Sequence, residues 1–122
     1  ILRGGIVKTI LFEVATPATA MNNLIRAAKT STGQRQARIT FPSAADMARI
    51  LTPTRWTIVE ALTGNEPLGV RELARRTARD VKGVHTDANA LVTAGIIDRT
   101  ADGKYSFPFN KVKVRFELHA AA

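Results

Sequence analysis

Four polar side chains spaced along one stretch of this sequence, Lys82, His85, Thr86 and Asn89, are of types that hydrogen-bond to the exposed edges of base pairs. An asparagine can donate to and accept from adenine in a bidentate pair. A lysine can donate to guanine or to phosphate, and a threonine can bond a base or touch a thymine methyl. A neutral imidazole beside them can bond a phosphate or a base edge. All four fall in RDVKGVHTDANALVTAGIIDRT, residues 79–100, where Val81, Val84, Ala88, Leu91 and Val92 recur at helical spacing. Burying that stripe turns Lys82, Thr86, Asn89 and Thr93 outward at steps of four, three and four, a continuous row on one helix face. The arginines just upstream, Arg71, Arg75, Arg76 and Arg79, stand where a phosphate backbone would fix the register of such a helix. Arg99 and Lys104 follow downstream. A polar face on a helix is by default only solvated, so the elements around it must decide.

Those elements have clear start and stop signals. Residues 53–64 read as a helix capped by Thr52, opened by Pro53 and stopped by Gly64, with Trp56, Val59 and Leu62 on one side as core. GVRELARRTA, 69–78, is a short helix facing inward through Val70, Leu73 and Ala74. Asp80 caps the next helix, and Gly95 ends it. IIDRT and KYSFPF then read as two strands joined at Asp102-Gly103, a hairpin signal. Three helices followed by a hairpin is the order of a winged helix-turn-helix: the second helix crosses the backbone, the third enters the major groove, and the hairpin is the wing.

Before this unit, IVKTILFEVA (6–15) predicts a strand, with Ile10, Phe12 and Val14 on one face and Thr9, Leu11 and Glu13 on the other. PATAMNNLIRAAK (17–29) predicts a helix, TSTGQRQ (30–36) a polar connection, and ARITF (37–41) a second strand. Ser43 and Asp46 form a capping-box-like pair that opens a short helix over 43–51. After the hairpin, KVKVRFEL (111–118) alternates strictly, with Val112, Val114, Phe116 and Leu118 against Lys111, Lys113, Arg115 and Glu117. It predicts a strand with one dry and one basic face, its charges guarding an open edge. The closing HAAA reads as a frayed tail, and His119 carries no role. The fold class is α+β, with a β-α-β extension at 1–42, suited to dimer or partner contact, and the winged helix-turn-helix with its last strand at 43–122.

The bulk composition fits this reading. The chain of 122 residues has a net charge of +8, which favours a polyanionic partner, and 45% hydrophobic residues, enough for a core. With no cysteine there are no disulfides and no thiolate metal sites. No apolar run approaches a membrane span of about 20 residues, and Lys8 and Glu13 interrupt the opening apolar stretch where a secretory signal would need continuity. A cytoplasmic protein without membrane contact is expected. An enzyme is not expected: the sequence has no His-Glu-x-x-His, no Gly-x-Ser-x-Gly, no phosphate-cradling glycine loop and no spaced carboxylate set. Neither a cofactor nor a metal is implied.

The stretch LTPTRWTIVEAL…GVRELARRTARDVKGVHTDANALVTAGIIDRTADGKYSFPF resembles the MarR-like predicted transcriptional regulators of bacteria and archaea, through RELARR, RDVKGVHTD, LVTAGIIDRT and FPF. The resemblance runs from about Arg38 to Leu118. It implies a DNA-binding regulator, and since some such proteins are encoded beside small toxins, it also implies an antitoxin as an alternative. Gly69 departs from the serine cap frequent in those regulators. Thr86 and Asn89 (or its neighbour Ala88) also depart from their usual residues, so the sequence read-out does not carry over. The expected function is a sequence-specific double-stranded DNA-binding transcriptional regulator that represses its own operon as a homodimer. The alternative is an antitoxin whose main task is to neutralise a cognate toxin protein, engaged through the leading β-α-β.

Overall fold

The computed structural model describes residues 8–30, 37–118 and 120. The start of the expected first strand, the connection at 31–36 and most of the expected tail, His119 included, lie outside the described residues. The elements run β1 (Thr9–Val14), α1 (Pro17–Thr30), β2 (Ala37–Phe41), α2 (Ala44–Ile50), α3 (Pro53–Leu62), α4 (Val70–Thr77), α5 (Val81–Thr93), β3 (Asp98–Arg99), β4 (Tyr105–Ser106) and β5 (Lys111–Arg115). The class is α+β. No helix among the described residues is long and apolar enough to cross a membrane.

One sheet joins the two ends of the chain. Its order is β2-β1-β5, and both neighbours of β1 run parallel to it, with Phe12 level with Ile39 and with Val114. Parallel neighbours need long crossovers, which is why β5 reaches β1 only after all the intervening helices. Alternation along β1 predicts one dry face, yet Ile10, Leu11, Phe12 and Glu13 are all buried. A central parallel strand is normally covered on both sides, so its alternation carries little weight. Glu13 is accommodated by Arg38, which donates to it at 2.8 Å, and by the Thr40 hydroxyl at 3.4 Å. Phe12 is the aromatic hub, with its ring centroid 6.2 Å from Phe41, 5.8 Å from Trp56 and 6.3 Å from Phe107. It ties the sheet to α3 and to the segment after the hairpin in one core with Ile58, Leu62, Leu73, Val84, Leu91 and Ile97.

The helix boundaries follow their caps. The Ser43 hydroxyl accepts from the Asp46 N–H at 3.1 Å, Thr52 from Arg55 at 3.4 Å, and Asp80 from Gly83 at 2.8 Å. Gly69 occupies the cap of α4 and offers no side chain to it. Gly64 and Gly95 adopt φ of 74° and 79°, the left-handed geometry that ends α3 and α5.

Three expectations are corrected. Val81, predicted as buried stripe, is exposed, because the first turn of α5 projects past the core that Val84, Ala88 and Leu91 enter. The hairpin ladder is only Asp98–Arg99 against Tyr105–Ser106. Ile96 is drawn instead to the end of α5, its N–H on the Leu91 carbonyl at 3.0 Å, and Pro108 brings no N–H to extend a ladder. Finally, the strand expected over 111–118 ends at Arg115, and of its dry face only Val112 packs on the core, while Val114, Phe116 and Leu118 are exposed.

Candidate nucleic-acid interface

The outward row of α5 sits beside the hairpin, and a small hydrogen-bond network joins them. The Tyr105 ring is fully buried, and its hydroxyl donates to the Asn89 Oδ1 at 2.8 Å. Arg99 lies directly opposite Tyr105 in the ladder, with its guanidinium 4.9 Å from the ring centroid, and donates to the same oxygen at 3.1 Å. The Asn89 amide nitrogen lies 3.2 Å from the His85 Nε2. Asn89, read from sequence as an adenine contact, therefore holds the hairpin against α5. Tyr105 was missed, although a tyrosine inside an apolar hairpin strand must bring its hydroxyl to some partner.

The hairpin is fixed from the other side as well. Leu68, just before α4, exchanges two backbone hydrogen bonds with Tyr105, at 2.9 and 2.8 Å. Gly103, with φ of 84°, makes the turn, and Lys104 is exposed beside it. The position of the hairpin relative to α5 is thus set by backbone bonds at its base and by the Asn89 network on its face.

Lys82, His85 and Thr86 are exposed on α5. The Thr86 hydroxyl donates back to the Lys82 carbonyl at 3.1 Å, which leaves its methyl and lone pairs facing outward. Asp87, the single carboxylate of α5, is drawn to the opposite side. Arg79 donates to it at 2.8 Å and Arg55 at 3.2 Å, and Arg55 also donates to the Ile50 carbonyl at 3.1 Å. Burial opposes ionisation of Asp87, but hydrogen bonds from Arg79 and Arg55 outweigh it and hold the carboxyl below its ordinary value. The outer face of α5 is left without negative charge. An acid three residues after Val84 and four before Leu91 borders the buried stripe, and that placement was the available signal that it needed cations.

Two groups of arginines therefore part company. Arg79, expected among the phosphate contacts, is turned inward to Asp87, with its Nη1 buried and without a partner among the described residues. Arg71, Arg75 and Arg76 project from α4 as expected. Arg75 and Arg76 share Glu72, whose carboxyl is held down to about 2 by hydrogen bonds from Arg75 and then Arg76. Two cations on one anion keep a net positive charge there. The turn between α4 and α5 passes through Ala78 at φ 55° and ψ 43°, a left-handed conformation rare for a residue with a Cβ.

Among the described residues no group of three or more His, Asp or Glu side chains is placed to hold a metal ion. Between α3 and α4 a shallow groove of about 430 Å³ is lined by Thr57, Glu60, Ala61, Asn65, Arg76 and Thr77.

No curated protein matches this chain. Among solved structures, a Listeria innocua Clip11262 protein of unknown function is similar at 20% identity and a TM-score of 0.43, over 74% of this chain and 61% of that one. This chain thus spans less than two thirds of that neighbour's length. The HVO_A0114 family model matches residues 50–114, more than half of the sequence, from the last residue of α2 through α3, α4, α5 and the hairpin into β5, and the chain belongs to the HVO_A0114 family.

Proposed function

We propose that the chain is a sequence-specific double-stranded DNA-binding transcriptional regulator, built as a winged helix-turn-helix and acting as a homodimer at its own operon. The observation that carries this reading is the α5 outer face: Lys82, His85 and Thr86 are exposed, its one carboxylate is withdrawn by Arg55 and Arg79, and a hairpin bearing Arg99 and Lys104 is locked beside it. In this reading α5 enters the major groove, with Lys82, His85 and Thr86 toward base edges. Arg71, Arg75 and Arg76 contact phosphates on the α4 side, and Lys104 does so on the hairpin side. Asn89 acts by positioning the wing. Two such units on one duplex read paired half-sites about one helical turn apart.

The test is binding of the purified chain to the DNA upstream of its own gene, against scrambled DNA of equal length, across a range of salt. Binding that prefers the native sequence and weakens with salt supports the reading. Equal or absent binding sinks it.

A second reading, an antitoxin that engages a toxin protein, is favoured by one observation: α1 exposes Met21, Leu24 and Ile25 at helical spacing. Co-purification of the product of an adjacent gene, abolished by Leu24→Glu, supports it. Copurification unaffected by that change counts against α1 as the site.

A further inference from the structure

We infer that two copies of this chain associate through the outer edge of β5, antiparallel and in one register, with Phe116 facing its own counterpart across the two-fold axis. The inference deepens the dimeric reading above by naming its surface. Two strands border this sheet. β2 carries no exposed large apolar side chain, whereas β5 exposes Val114, and Phe116 and Leu118, which continue its alternation in sequence beyond the end of the strand, are exposed as well. No strand pairs with the outer edge of β5 among the described residues. An open edge beside an uncovered apolar row is a template for another strand.

The charges point to the occupant and the register, because from 112 to 117 only a pair centred on Phe116 opposes unlike charges and no like ones. Lys111, Lys113 and Arg115 alternate with Val112 and Val114 along β5, and Glu117 continues that alternation in sequence. In a symmetric antiparallel pair, side chains directly opposite one another interact, and like charges there are unfavourable. Centring the pair on Val112, Lys113, Val114, Arg115 or Glu117 sets like charges against each other: Lys111 on Lys113, Lys113 on itself, Lys113 on Arg115, Arg115 on itself, or Glu117 on itself. Centred on Phe116, Arg115 faces Glu117 of the second copy twice over, Phe116 faces Phe116, and Val114 faces Leu118. Glu117 is already engaged within the chain, so the association exchanges one partner for another. In this register neither Lys111 nor Lys113 faces another cation.

A two-fold axis perpendicular to a sheet leaves the same face of both copies on the same side. Phe12 and Val112, which meet the helical core, lie on the face shared by Val114. Both helical units therefore end on one side of a continuous sheet, as two units on one duplex require.

The absence of cysteine makes the test direct. In the full chain, Phe116→Cys places two thiols opposite each other, with Cα atoms about 4.5–5.5 Å apart, within disulfide reach. Lys113→Cys places them six residues out of step, roughly 20 Å apart. The expected result, without DNA, is a dimer by sedimentation that Phe116→Cys locks under mild oxidation and Lys113→Cys does not. Glu117→Arg should weaken association about tenfold, and adding Arg115→Glu should restore it. A monomer at every concentration, equal crosslinking at both positions, or crosslinking only when a second protein is supplied overturns the inference. A monomer that still binds its DNA selectively leaves the regulator reading standing. A locked dimer that binds no DNA rejects that reading and keeps this surface.

Discussion

Helix α5 and strand β5 carry equally regular patterns, and their outcomes differ. In α5 the apolar row at 84, 88 and 91 is completely buried, and of the polar row opposite Lys82, Thr86 and Thr93 are exposed. In β5 and the residues after it, the apolar row at 112, 114, 116 and 118 is just as regular, yet only Val112 meets the core. Periodicity states which side chains share a face, and it is silent on whether anything lies against that face. In α5 the covering layers are its immediate neighbours α3 and α4, joined by short turns. For β5, Val112 still packs against the core, while Val114 is left exposed.

Deleting a buried side chain from each element gives the widest contrast. Leu91→Ala should cost about 3 kcal/mol or more in chemical denaturation, because Leu91 is fully buried and truncating it removes packed apolar atoms and leaves a cavity. Val114→Ala, in protein dilute enough to keep copies apart, should cost less than about 0.5 kcal/mol. Equal losses would mean that β5 is covered in the single chain after all.

A slightly smaller effect is expected at Asp87, which links α5 to α3 and to the α4–α5 turn. Asp87→Asn should cost about 2–3 kcal/mol at neutral pH, since it leaves Arg55 and Arg79 facing each other with no anion between them. The folded carboxyl titrates below the ordinary 3.8, so the stability it contributes is present above that value and is lost as pH falls through the folded one. Acid denaturation should therefore be flatter in Asp87→Asn than in the parent. Identical acid curves would show that the linkage contributes little.

The polar row of α5 is probed by DNA binding. Thr86→Ala or Lys82→Ala should cost about 1–3 kcal/mol on the native upstream DNA and relax sequence preference, with unfolding little changed. Arg75→Ala should weaken binding to all sequences alike and reduce the salt slope by about one. Asn89→Ala should differ from both, losing about 1–2 kcal/mol of folding stability because the buried Tyr105 hydroxyl is left without its acceptor. If Asn89→Ala alters sequence preference and not stability, the hairpin is held by its backbone alone.

The smallest effect is a gain. Ala78→Gly should raise stability by about 0.5–1 kcal/mol, because glycine adopts φ near 55° without the Cβ conflict. Thermal unfolding measures it, and an unchanged midpoint would show that the turn relaxes at no cost.

Much of the candidate interface was legible from residue order. Thr52-Pro53, Asp80, Gly64 and Gly95 marked helix ends through local hydrogen bonding and backbone freedom, and all four act where they were read. The roles of Asn89 and Arg79 were not legible. Both are polar residues at exposed-looking helical or turn positions, and their partners Tyr105 and Asp87 lie sixteen and eight positions away in sequence. Nothing in local spacing distinguishes a side chain that reads a ligand from one that finds an intramolecular acceptor.

By itself, the amino-acid sequence determined which segments are helical, where they stop, and which face of α5 is polar, because caps, turns and helical periodicity act within a few residues. Only the tertiary structure decided that β1 is the parallel centre of a sheet joining both ends of the chain, that Asp87 collects two arginines, and that the apolar row after Val112 stays uncovered. Those outcomes depend on contacts between residues far apart in sequence, where burial and charge pairing are settled by which surfaces meet rather than by which residues are neighbours along the chain.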